Sequence, residues 1–291
     1  MFLVLEGHSP GKAVRNVAGG RLGRLVENYL DHLASGPDQA SLLDAATALE
    51  VLAAYHFDPE DGEDPVTGVA AFGGLSAGPL IRTINFHNTI QARSDEIERQ
   101  LRAAGERFRT VGEDDLDGLL SGGAWPWPKP PLILVFYEGY RNNYDVALPV
   151  LERLGMRAWF FVPTAFIDTP VPEQHAFAGA HSIGLTDEDR PGYRCAMTWD
   201  ELRDVVSRGH IVACHTATHC AISDVRTPQD VQRELVGPRR RLEQELVREV
   251  GTLAWLSGAP YGENDRVDPA VYEAGYRLVF SNTKVQRLRA G

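Results

Sequence analysis

Leu132-Ile133-Leu134-Val135-Phe136 is an unbroken apolar run, and it limits the fold more than any other segment. A strand covered on one face alternates apolar with polar residues. A run with no polar residue suits a strand buried on both faces, as in a parallel sheet. Parallel neighbours need crossover connections, and the rest of the chain supplies them. Strands are expected at 80–86, 158–162, 211–213, 253–256 and 278–280. Helices are expected between them, at 95–108, 143–154, 198–207, 227–250 and 269–274. Thr198 and Glu201 form a capping box for the third of these, and Thr227-Pro228 starts the fourth. Repeated β-α units give an α/β fold, either a parallel sheet or a (β/α) barrel. Its active site then lies at the C-terminal ends of the strands.

Residues 1–79 follow a different pattern. Leu22, Leu25, Val26, Tyr29, Leu30 and Leu33 recur at helical spacing, and a second helix is expected at 42–55 after Ser41. The segment from Asp58 to Pro65 is acidic and rich in Pro and Gly, and reads as a loop. Two helices are little core for independent folding, so 1–79 is expected to be a helical extension packed on a main domain at 80–291.

Charge narrows the partners. With 29 Lys+Arg against 40 Asp+Glu the net charge is −11, which argues against nucleic acid, because phosphate binding needs a basic surface. The one basic cluster, Arg239-Arg240-Arg241, lies beside Glu243 and Glu245 and reads as a solvated helix face. Cys195, Cys214 and Cys220 make a poor disulfide framework for this length and fit a reducing compartment. The apolar stretch of Met1 to Glu6 is too short for a secretion signal, and no run approaches a membrane span. A cytoplasmic protein with no membrane partner is the expectation.

Three segments could carry chemistry, and each follows an expected strand. In His215-Thr216-Ala217-Thr218-His219 the two histidines stand at i and i+4. On one face of a helical turn, both can point at one metal ion. Cys214 and Cys220 flank them and admit a structural Cys/His zinc site, although an i, i+5 pair is splayed on a helix. In Phe136-Tyr137-Glu138-Gly139-Tyr140, the acidic residue at a strand end suits a ligand or a base, or a solvated turn. Ser257-Gly258-Ala259-Pro260-Tyr261-Gly262 reads as a βα loop.

Taken in order, these segments resemble the polysaccharide deacetylases, the NodB-homology carbohydrate esterases. That family carries T-F-D-D-G, H-[ST]-x-x-H and a third motif ending in P-Y. The counterparts here are Val135 to Gly139, His215 to His219, and Pro260-Tyr261-Gly262, and the likeness extends over about residues 80–283. The resemblance implies a distorted (β/α) barrel with fewer than eight strands. It also implies metal-dependent removal of an acyl group, usually acetyl, from an amide nitrogen of an amino sugar or related small molecule. Carried onto this chain, the metal ligands are Glu138, His215 and His219, and zinc is the expected ion. Tyr140 supplies a backbone N–H to the oxyanion, and Pro260 and Tyr261 line the substrate.

The sequence departs from the family at both acidic positions of the first motif. Tyr137 stands at the catalytic base and Glu138 at the metal carboxylate. A phenol with a pKa near ~10 is a poor base at neutral pH. There is no His after His219, so the family's C-terminal acid has no counterpart. His87, in Ile84-Asn85-Phe86-His87-Asn88, resembles the acid-bearing strand end of one branch and is the expected substitute. The alternative is a weak or inactive barrel that binds a carbohydrate or acylated ligand. The connection at 164–196 reads as a structureless lid or substrate loop.

Overall fold

The computed structural model describes residues 2–6, 81–121, 125–262, 264–281 and 285–288. The two N-terminal helices and the acidic loop expected within 1–79 lie outside these residues.

The strands are β1 (Phe2–Glu6), β2 (Ile81–Phe86), β3 (Arg109–Thr110), β4 (Pro131–Phe136), β5 (Trp159–Val162), β6 (Ile211–Cys214), β7 (Thr252–Ala254), β8 (Leu278–Phe280) and β9 (Val285–Arg287). They form one sheet in the order β1-β2-β4-β5-β6-β7-β8-β9, with β3 beside β4. Every pairing is parallel except β8 with β9. Strands adjacent in space follow one another in sequence, so the sheet winds in one direction. That is the barrel mode of winding; a doubly wound sheet reverses its order partway. The antiparallel β9 ends the sheet, leaving a curled, incomplete barrel with seven parallel strands along its path.

Alternation along each strand divides the core into two layers. Leu132, Leu134 and Phe136, with Phe160, Val162 and Val212, face the helices. Ile133 and Val135, with Trp159, Phe161, Ile211 and Ala213, face the concave side, together with Leu116 and Leu119 of the helix Glu113–Leu120. All six residues of β4 are buried, as its unbroken apolar run requires.

Local chemistry sets the helix ends. Thr198 accepts from the Glu201 N–H and Glu201 accepts from the Thr198 N–H, so the helix Trp199–Ser207 starts as expected. Gly155 takes a left-handed conformation and stops Leu148–Leu154. Two helices carry a wide π turn, at Asn143–Ala147 and Gln232–Val236. The long helix ends at Leu246, short of the expected 250.

The structure corrects or extends other expectations. Residues 2–6, read only as an apolar stretch too short for a secretion signal, form a strand that pairs with β2. Residues 164–196 are not a structureless loop: they include helices Thr164–Asp168 and Val171–Ala180. The arginine cluster is not simply solvated. Arg239 donates to the Val250 carbonyl, and Arg241 pairs with Asp168 and Glu245.

Candidate metal centre

The candidate residues converge at the C-terminal end of the sheet. His87 follows β2, Tyr137 and Glu138 follow β4, and His215 follows β6. The Tyr137 N–H donates to the Phe86 carbonyl, which carries the β2–β4 pairing one step beyond the strand ends. The His215 N–H donates to Val162 in the same way.

Beyond the strands the backbone turns sharply. Glu138 has φ 63° and Gly139 φ 65°. A Cβ at Gly139 would lie 3.0 Å from Val162 and 3.1 Å from Ile167, so this position needs glycine for space as well as conformation. Glu138 has no such freedom. A left-handed non-glycine residue costs about 1–3 kcal/mol and persists only where its surroundings enforce it. The turn after β6 is similar: Thr216 has φ 64° and His219 φ 57°. The two histidines therefore do not share a helical face, as the i, i+4 spacing suggested. They converge through a turn with two left-handed residues.

Glu138, His215 and His219 are buried, and one donor atom from each lies within 4.8 Å of the others. Glu138 Oε1 is 3.4 Å from His219 Nε2, 3.9 Å from His215 Nε2 and 3.6 Å from His87 Nε2. His215 Nδ1–H donates to the Ala254 carbonyl at 2.8 Å, and His219 Nδ1–H to the His181 carbonyl at 2.8 Å. Those bonds fix the tautomers and leave both Nε2 lone pairs aimed at Glu138. Burial, then the neighbouring His219, pushes the His215 pKa well below its usual value, against the Ala254 bond. That direction favours the neutral imidazole, the form able to hold a metal.

These residues fit a divalent cation. Donors about 2.0–2.2 Å from a tetrahedral zinc are separated by about 3.3–3.6 Å, close to the Glu138–His219 spacing. Glu138 Oε2 is buried without a hydrogen-bond partner, an unfavourable state for a carboxylate that a cation would relieve. No cysteine joins the cluster among the described residues. Burial pushes the Cys214 and Cys220 thiols up to about 12, so neither is a ready thiolate ligand.

His87 and Tyr137 form the adjoining wall. The Tyr137 ring lies 5.5 Å from His87, 5.3 Å from Phe161 and 5.1 Å from His215, centroid to centroid. It continues the inward alternation of Ile133 and Val135, which places it on the concave side. The His87 side chain keeps 35% of its surface exposed, unlike the buried His215 and His219. The Tyr140 phenol is buried and donates to the Gly184 carbonyl. Its backbone is a different matter. Tyr140 bridges Ala196 antiparallel, between the Arg141 N–H to Cys195 bond and the Met197 N–H to Gly139 bond. In such a wide pair the Tyr140 N–H points away from Ala196. Pro260 and Tyr261 lie beyond β7. Gln286 clamps Tyr261 by accepting from its N–H and donating to its carbonyl, and Asp268 accepts from Gly262 and Asn264.

The supporting residues were not anticipated. Asn143, in the first π turn, donates to the Tyr137 carbonyl and accepts from Thr89. Glu234, in the second, accepts from the His215–His219 turn. Burial pushes the Glu234 carboxyl up, but Arg233 and the Thr218 donors outweigh this and lower it overall. One signal was available. Glu234 stands four residues before Pro238 and eight before Leu242, on a buried stripe where a carboxylate needs a reason.

The curled parallel sheet gathers two histidines and a carboxylate at the C-terminal ends of its strands, where (β/α) barrels carry their functional sites. The chain is a member of the polysaccharide deacetylase family, whose pattern matches residues 126–279. It is 21% identical over 201 residues to the Bacillus subtilis (strain 168) protein YxkH, whose name describes a polysaccharide deacetylase. That match covers 68% of this chain and 61% of YxkH, so the chain spans about three-fifths of that relative. In fold it is similar to the Streptococcus pyogenes deacetylase PplD, solved with acetate. The TM-score is 0.54 at 17% identity, over 71% of this chain and 85% of that one. It is also similar to IcaB from Ammonifex degensii, with a TM-score of 0.55 at 18% identity, over 72% and 87% of the two chains. Among the described residues no helix is long and apolar enough to cross a membrane.

Proposed function

We propose that this chain is a metal-dependent hydrolase that removes an acetyl or similar acyl group from an amide nitrogen of an amino sugar or related small molecule. One observation carries the reading. Both ligand histidines have Nδ1 tied to a carbonyl and Nε2 turned toward Glu138, whose second oxygen is buried and unpartnered. Glu138, His215 and His219 would hold the cation, and zinc suits two imidazoles and a carboxylate. When bound, the cation supplies a Lewis acid for the acyl oxygen and eases ionisation of the attacking water.

The remaining roles fall to the chain's own groups. The Tyr140 N–H, pointing away from Ala196, is the donor for the developing oxyanion. His87 is partly open to solvent beside Glu138 and would protonate the leaving amine through Nε2. The Tyr137 ring walls the site on the side of Phe161 and orients the His87 ring by stacking. Pro260 and Tyr261, fixed by Gln286, border the substrate.

A second reading, a barrel that binds an acylated carbohydrate but turns it over slowly, is favoured by one observation. An aromatic ring, not a carboxylate, stands between His87 and His215. The deciding experiment is zinc content and deacetylation of chito-oligosaccharides by the wild type and by His215→Ala/His219→Ala. The hydrolase reading expects about one zinc per chain, slow turnover, and loss of both in the double variant. Full metal retention by the double variant would remove the site. Metal binding without turnover would leave the binder.

A further inference from the structure

Glu234 takes no part in the chemistry above, yet it is 1% exposed and ionisable. Such a group is rarely buried without a purpose. Its Oε2 accepts from the Ala217 N–H at 3.1 Å and the Thr218 N–H at 3.0 Å. Its Oε1 accepts from the Thr218 hydroxyl at 3.0 Å and from Arg233 Nε at 2.8 Å. All four partners donate, and three belong to the residues between His215 and His219.

That turn needs an outside acceptor. Thr216 and His219 are left-handed, so the N–H groups between them cannot use the carbonyls that a helix would offer. The Thr216 hydroxyl bonds the Cys220 N–H and closes the turn on its other side. Glu234 reaches the turn because the π turn Gln232–Val236 widens its helix at this point; such bulges often mark functional sites.

We propose that Glu234 is a positioning residue for the metal centre: by gathering the Ala217 and Thr218 donors, it holds the curvature of residues 215–219 that turns His215 and His219 onto Glu138. The inference rests on the reading that these three residues hold a divalent cation. A carboxylate accepts from all four donors at once. An amide offers one oxygen; its NH2 group opposes the Arg233 N–H, which cannot accept, and forces the Thr218 hydroxyl to turn round and accept.

The test measures zinc affinity, by competition with a chelating dye, in wild type, Glu234→Gln and Glu234→Ala. Thermal unfolding of each metal-free protein is recorded alongside. Leu235→Ala is the control: it empties a fully buried apolar position in the same π turn and removes no hydrogen bond to the His215–His219 turn. Glu234→Gln should weaken zinc binding about 10-fold or more, the usual scale for an outer partner of a metal site, and Glu234→Ala further. Leu235→Ala should lower the unfolding temperature and keep wild-type zinc affinity. Wild-type affinity in Glu234→Gln, which has the same shape and does not depend on Glu234→Ala folding, would overturn the inference alone. So would an equal loss of affinity in Leu235→Ala, which would reduce Glu234 to general packing. A wild-type chain that takes up no zinc would overturn the metal reading, and this inference with it.

Discussion

Replacing Tyr137 with Phe removes the phenol oxygen and keeps the ring. The three ring contacts of Tyr137, to His87, Phe161 and His215 at 5.1–5.5 Å, survive the change. Each such pair contributes about 0.5–1.5 kcal/mol beyond burial, so Tyr137→Phe should keep that part of the stability. If Tyr137 is a wall, kcat and kcat/KM on an acetylated chito-oligosaccharide stay within about threefold of wild type. If the phenol takes the proton from water, its loss removes a base worth about 10²–10⁴-fold, or about 2.7–5.4 kcal/mol of barrier. The wall reading makes a converse prediction. Tyr137→Asp with Glu138→Asp restores the two carboxylates of the family's first motif and should raise kcat by up to that factor. It also loses all three ring contacts, so the unfolding temperature should fall. The assay is acetate release with each protein loaded with zinc. A loss of 100-fold or more in Tyr137→Phe would refute the wall reading. No gain in a folded, zinc-bound double variant would refute the view that a missing carboxylate limits the rate.

Other perturbations address separate links. His87→Gln should lower kcat, most for poor leaving amines, and leave zinc content intact; equal activity, checked on amides of differing amine basicity, would remove it as the acid. Stability should depend on pH through His210, which is buried, accepts from the Ala158 N–H and faces Glu152 at 2.9 Å. Burial lowers its pKa, against the opposing pull of Glu152. Below about pH 6.5 the unfolded chain therefore binds the proton more readily, and stability falls as pH falls, by at most about 1.4 kcal/mol per pH unit for this group. Urea titrations of metal-free protein from pH 8 to 5 should show a shallower fall in His210→Gln. Thr198→Ala removes the side-chain acceptor of the Glu201 N–H. It should cost about 1 kcal/mol in the same assay without altering zinc affinity.

The unbroken apolar run of β4 and the β-α alternation after it established a parallel sheet, because hydrophobic periodicity and turn chemistry are local. The capping box at Thr198 was local too, and the structure contains it unchanged. The residues of the candidate centre were also legible, since each motif follows directly on a strand. How they meet was not. The spacing of His215 and His219 suggested a helical face, but left-handed Thr216 and His219 bring them together through a turn. Left-handed backbone at threonine, histidine or glutamate leaves no mark in composition. It is enforced by bonds from residues far along the chain.

Those distant bonds are what tertiary structure alone decided. The carbonyl of Ala254 fixes His215 across 39 residues, and that of His181 fixes His219 across 38. The segment holding His181 read as a loop because short helices around Pro170 and Pro172 give weak periodicity. The edge strand at Phe2–Glu6 gains its meaning only from pairing with β2, 79 residues later. Sequence patterns name the groups that can bind a metal or move a proton. Burial, tautomer and the unpartnered oxygen of Glu138 depend on which distant atoms the fold sets beside them, because hydrogen bonding and desolvation act over a few ångströms in space and are indifferent to separation along the chain.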